Sequence, residues 1–143
     1  MVTANHVVEH MPNPVEALAA MRGLLKPGGY IWISVPNADY PLAVKLRGRW
    51  HSTDLPFHLM QFTPQSLTLT GERANLKMRS LTTESLPDAT ASSIRLYLRY
   101  RWGLPRRVTE RVGWIDRRWA PHMARKMDSR GSGESLIAEF VVV

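Results

Sequence analysis

Apolar residues at 15, 18, 21 and 25 (Val15, Leu18, Met21, Leu25) recur at helical spacing, and start and stop signals bracket them. Asn13 is a good N-cap, Pro14 suits the first helical position, and Glu16 stands three after the cap. Lys26 suits the last turn, and Pro27-Gly28-Gly29 ends it. The pattern predicts a helix over 14–25. Residues 2–8, V-T-A-N-H-V-V, predict a short buried strand running into a turn. Residues 30–36, Y-I-W-I-S-V-P, are strand formers, apolar on both faces as in a covered parallel strand. Strand, helix and strand in this order predict a right-handed βαβ unit.

Further along, the pattern loosens. Residues 37–62 form a long stretch rich in Trp, His, Asp and Pro, and loops of that length are usually functional. Thr63-Pro64 repeats the cap-plus-proline signal for a helix over 64–74, with Asn75 as a left-handed stop. Thr68, Thr70 and Gly71 weaken that helix. Residues 77–86 alternate as a strand. Residues 91–127 predict two helices broken near Gly103-Leu104-Pro105, the second with Val108, Val112, Ile115 and Trp119 on one stripe. Gly131-Ser132-Gly133 is a turn, and 136–143 a final strand.

Composition narrows the class. The 143 residues suffice for one domain with a core. There is no Cys, which excludes disulfides, thiolate metal sites and a thiol nucleophile. No apolar run reaches membrane-spanning length, and the N-terminus lacks a signal-peptide layout, so the cytoplasm is the default compartment. The net charge of +7 is concentrated. Residues 95–130 carry eleven Lys/Arg against three Asp/Glu, whereas residues 1–94 are nearly balanced.

Residues 6–10, H-V-V-E-H, spell the pattern of inverted zinc peptidases. That chemistry needs both His on one face of a long helix. Met11-Pro12-Asn13-Pro14 stops any helix at once, so the peptidase reading fails. The same residues belong to three longer words: H-V-V-E-H-M-P-N-P, then L-L-K-P-G-G-Y-I-W-I-S-V-P-N, then D-L-P-F-H-L-M-Q-F-T-P. In this order they resemble the C-terminal half of class I S-adenosylmethionine-dependent methyltransferases, the small-molecule branch with ubiquinone-pathway-like O-methyltransferases. The resemblance covers residues 1–88 and 131–143. It implies an α/β fold: an incomplete doubly wound, Rossmann-like sheet with strands in the order 4-5-7-6, the last antiparallel. Residues 2–8, 30–36, 77–86 and 135–142 would be strands four to seven. A basic helical insert over 90–130 would complete a single partial domain.

The family binds S-adenosylmethionine chiefly through a glycine-rich loop after its first strand. These 143 residues contain no such loop, so a truncated or split enzyme, with little activity alone, is the expectation. Residues 2–8 would then be an exposed edge open to pairing with a second chain. By position, Asn5 and His6 would lie against the cofactor. No metal is assigned; His6, Glu9 and His10 are the residues a divalent ion would use. Over the acceptor pocket, His58 is the first choice as base, with Asp54 or His51 orienting it. The reaction implied is methyl transfer to a small-molecule acceptor, by preference at oxygen.

Two rival readings stand beside this one: a non-enzymatic or complementing subunit, and a basic membrane-associated binding module. The insert bears on both. Its arginines alternate with Tyr97, Tyr100, Trp102, Trp114 and Trp119. They suit a lid with a solvated basic face, a peripheral membrane contact over 95–119, or, least, a nucleic-acid surface. The acceptor could accordingly be anionic or lipid-linked.

Overall fold

In the computed structural model, which describes residues 1–143, strand β2 (Tyr30–Pro36) lies between two partners of opposite sense. Strand β1 (Val2–Asn5) runs parallel to it, with Ala4 opposite Ile33. Strand β4 (Ser135–Val142) runs antiparallel on the other side, with Ala138 opposite Ile33. Strand β3 (Leu76–Glu84) completes the sheet beyond β4, giving the order β1-β2-β4-β3. This is the strand order, with an antiparallel last strand inserted, that the sequence led one to expect.

One face of the sheet is covered. Helices α1 (Pro14–Gly23) and α3 (Pro64–Arg73) set Leu18 and Leu67 against Ala4, Ile31, Ile33, Val35, Leu136, Ala138 and Phe140. Leu18 is fully buried, so its removal would cost about 2–5 kcal/mol. Both helices start as their sequences predict. The Asn13 side chain accepts from the Glu16 amide, and Thr63 forms a reciprocal capping box with Ser66. Asn75 takes the left-handed conformation after α3. The opposite face differs from expectation. Tyr30, Trp32, Ile137, Glu139 and Val141 are only half-buried, whereas Ser34 and Pro36 are buried, so β2 is covered on both faces only toward its carboxyl end.

The predicted first strand is shorter than 2–8. His6 adopts a φ of 50°, which a strand cannot accommodate. Its amide still donates to Ser34 O, and the chain then coils into a 3₁₀ turn over Val8–His10. The stretch 37–62 is not an open loop either. It holds helix α2 (Pro41–Leu46) and two 3₁₀ turns, Arg47–Arg49 and His51–Thr53. Helix α2 escapes a sequence reading because its N-cap, Tyr40, offers no capping side chain.

The insert departs furthest. Helix α4 (Pro87–Trp102) starts earlier than predicted and stops at Gly103, whose φ of 63° suits glycine. One turn of helix, α5 (Arg106–Thr109), follows, then a π-helical segment over Ile115–Trp119 that leads into α6 (Ala120–Asp128). The chain is irregular between 110 and 112, so the predicted stripe does not form. Ile115 is fully buried, while Val108 and Trp119 are exposed.

A second core forms where α2, α4, the π segment and α6 meet, around Tyr40, Leu46, Trp50, Ile94, Ile115 and Ala120. The connections explain its place. Helix α2 leaves the carboxyl end of β2, α4 leaves that of β3, and α6 returns to the start of β4 at the same edge. The helices therefore cap the carboxyl ends of the parallel strands. None is long and apolar enough to cross a membrane.

Gly71 ties α3 to the sheet. A Cβ there would stand 2.1 Å from the ring of Phe140, which is fully buried and has nowhere to move. Gly71→Ala should therefore destabilise the fold by about 1–3 kcal/mol despite the better helix propensity of Ala. Gly48→Ala, with open space around the added carbon, should change stability by less than about 0.5 kcal/mol. Urea unfolding of the two variants checks the contrast.

Candidate active site

The turn after β1 and the loop before α3 are stitched together by main-chain bonds. Glu9 O accepts from the amides of Leu59 and Met60 at 2.8 and 3.0 Å. His10 Nδ1–H donates to Phe57 O at 2.9 Å, and His58 Nδ1–H donates to Ser52 O at 2.8 Å. The two imidazoles then meet edge to face, with centroids 4.6 Å apart. With both Nδ1 atoms committed as donors, each Nε2 carries a free lone pair.

The Glu9 side chain is fully buried between these histidines and His6. His6 Nδ1 stands 3.2 Å from Oε1, short of a well-directed hydrogen bond, and Oε2 has no partner. This contact with the carboxylate holds the His6 pKa above its ordinary 6.5, against the opposing effect of burial. Glu9, His10 and His58 offer ligand atoms that all lie within 4.8 Å of one another. Histidines that donate Nδ1–H to carbonyls and leave Nε2 free are oriented as metal-binding histidines are. Of the three residues the sequence offered for a cation, Glu9 and His10 are in this cluster. His6 is beside it, and His58 completes it.

Asp54 Oδ2 is 3.9 Å from His58 Nε2, too far for a hydrogen bond. The group that orients His58 is thus the Ser52 carbonyl. His51 belongs to a different cluster. Its Nε2 is 3.3 Å from Glu134 Oε1, and its Nδ1 is 3.4 Å from Ser93 Oγ. Ser93 also reaches Glu134 Oε1 at 3.3 Å and accepts from Trp50 Nε1. Tyr40 packs in the same core. Its burial, with the Glu134 carboxylate adding to it, pushes the phenol up to about 12. Glu134 acts at His6 as well, in the sense that raises its pKa.

Glu134 and Ser93 were not singled out in the sequence. Glu134 is held by the ends of two strands. Asn37, just after β2, donates its amide N–H to Glu134 O and its side-chain N–H to Gly133 O, both at 2.8 Å. Ser85, just after β3, accepts from the Glu134 amide through Oγ at 3.0 Å and donates the same Oγ–H to Asp128 at 2.9 Å. A Cβ at Gly133 would strike that aspartate at 2.0 Å, so only glycine fits. The flexible-looking Gly131-Ser132-Gly133 turn was the available signal: its last glycine marks close packing.

A methyltransferase-domain family model matches residues 1–81, more than half of the chain. The chain belongs to the methyltransferase domain family. A solved structure described as a sarcosine dimethylglycine methyltransferase from Galdieria sulphuraria aligns over 96% of this chain and 51% of its own, at 13% identity and a TM-score of 0.46. The chain therefore spans about half the length of that protein. No curated protein matches.

The usual cofactor of methyltransferases, S-adenosylmethionine, fits these residues in part. Asn5 and His6 are exposed at the carboxyl end of β1, where ligands bind in doubly wound folds. The positive φ of His6 turns the chain out of the sheet there. A cradle for the nucleoside is not supplied by any loop of the chain. Gly28 and Gly29 follow α1 instead of opening a helix.

The His6–Glu9 contact has a pH signature. Because the folded pKa of His6 is raised, its stabilisation is complete below pH 6.5 and fades as pH rises through the folded value. His6 is half-exposed, so the contribution is at most about 1 kcal/mol. The stability difference between the parent and His6→Gln should therefore be larger at pH 5.5 than at pH 8.5, roughly one unit below and two above the ordinary value. Denaturant titrations at both values measure it.

Proposed function

We propose that this chain is the acceptor-side half of an S-adenosylmethionine-dependent methyltransferase that methylates an oxygen of a small molecule. It works with residues outside these 143 that supply the glycine-rich nucleoside cradle. The observation that carries the reading is His58: Nδ1–H is locked on Ser52 O, Nε2 is free, and Asp54 Oδ2 lies 3.9 Å from Nε2. A hydroxyl attacking a sulfonium methyl loses its proton as the new C–O bond forms. A fixed, mostly buried imidazole with one open lone pair suits that task.

In this reading the remaining residues have separate roles. Asn5 and His6 border the methionine end of the cofactor. S-adenosylmethionine supplies the electrophilic methyl group when bound. The His51–Glu134–Ser93 network stiffens the join between the helical cap and the strand ends, with Asn37 and Ser85 fixing Glu134 from below. A second reading is that His10, Glu9 and His58 would hold a divalent cation, with His58 Nε2 then a ligand in place of a base. The buried carboxylate with an unpaired oxygen is the specific observation that favours it. A cation there would make an acceptor hydroxyl more acidic.

Two measurements separate these roles. In the enzyme assembled with a glycine-rich front half, His58→Gln should lower kcat by about 10²–10⁴-fold and remove the basic ionisation from the kcat/KM profile. An unchanged profile would exclude His58 as the base. Calorimetric titration of the chain with Mn²⁺ should give saturable binding that Glu9→Gln abolishes. Absence of such heat would leave His58 acting without a metal.

A further inference from the structure

We propose that the tip of the helical cap docks on anionic phospholipid bilayers. The tip consists of the last turn of α4, helix α5, the stretch 110–114 and the π segment. Three of the five tryptophans are here, and all three point outward: Trp102 is 62% exposed, Trp119 51% and Trp114 48%. Val108 and Tyr100 are exposed beside them. The tip has its own buried side, made by Ile115, Thr109 and Ala120. The tryptophans are therefore not displaced core residues; they stand outside that buried set. Trp114 and Trp119 support each other edge to face, with centroids 4.9 Å apart, which builds an apolar ridge.

Cations surround that ridge. Arg101, Arg107, Arg111, Arg117 and Arg118 are exposed, and none has a carboxylate partner. Only Arg95 and Arg106 are paired in this region, with Asp116 and Glu110. Arg49 adds a further guanidinium, stacked 4.5 Å over the Tyr100 ring. Exposed indoles among unpaired arginines match the level of a bilayer where acyl chains give way to anionic headgroups. Single-stranded nucleic acid would also attract the charge, but it needs free aromatic faces for stacking. Here two of the three indoles are turned on one another, and Val108 offers a base nothing to stack on. The observations favour lipid.

Docking this way has a geometric consequence that does not depend on the methyl-transfer reading. Ser93, which touches Glu134 and Trp50, lies nine residues before Trp102 on the same helix. That is about 14 Å along the axis, so the capped sheet edge would stand close to the bilayer surface.

Flotation of the full chain with phosphatidylcholine vesicles, with and without about one-third phosphatidylglycerol, tests the proposal. Co-flotation is expected only with the anionic vesicles at about 50 mM salt, with release at about 500 mM. Tryptophan emission should shift to the blue and be quenched by lipids brominated on the acyl chains. Arg107→Glu with Arg111→Glu, Arg117→Glu and Arg118→Glu should weaken binding at least about tenfold. Trp102→Ala with Trp119→Ala should remove most of the quenching while circular dichroism stays unchanged. Failure of the parent chain to float, absence of acyl-chain quenching, or tighter binding to a single-stranded oligonucleotide than to anionic vesicles would each overturn it.

Discussion

The structure depends on the clamp at the start of β4. A strand that runs against its neighbours must enter the sheet at the edge where the parallel strands end. Glu134 is the residue at that entry; its carbonyl accepts from the Asn37 amide and its amide donates to Ser85 Oγ, which fixes it between β2 and β3. Gly133 and Asp128 make the turn tight enough for both bonds to form. Register then propagates along the sheet, from Pro36 opposite Ser135 to Tyr30 opposite Val141. The clamp also decides where a charge sits. It buries the Glu134 carboxylate under the helical cap, where it meets His51 and Ser93 and adds to the pKa rises set chiefly by burial at Tyr40 and by Glu9 at His6.

A buried carboxylate is costly unless it is paired, and the carboxyl edge contains two. Glu134 is partly satisfied by neutral donors and a half-exposed imidazole, while one of its oxygens remains bare. Glu9 lacks even that, with His6 near one oxygen and nothing at the other. Two unsatisfied acids, four histidines and a left-handed backbone residue within one edge do not serve stability. They fit the ligand-binding edge that we propose. Membership of the methyltransferase domain family and the exposed end of β1 both fit the reading we propose for that edge.

Much of this was legible in the sequence, and the reasons differ by element. Helices α1 and α3 both carried a cap followed by proline, and α1 a stripe as well, so their starts were readable to the residue. Strand order followed from the three sequence words. The cap region was not legible. Helix α2 has no capping side chain, and the spacing of Val108, Val112, Ile115 and Trp119 imitates a stripe across a backbone that is not one helix. At the site, the histidines stood out as residues, but their partners could not be read. Ser52 and Phe57 act through main-chain carbonyls, which leave no trace in side-chain identity. Glu134 comes to His51 from 83 positions away, through a strand insertion that spacing alone does not reveal.

The central claim is that this edge is one side of a cofactor cleft whose other side lies outside the chain. Calorimetric titration with S-adenosylmethionine tests it most directly, first on the chain alone and then with a glycine-rich front half added as a second polypeptide. No saturable heat from the chain alone, and saturable binding once the two are combined, is the expected pair of results. Tight binding by the chain alone, or none by the combination, would contradict the account.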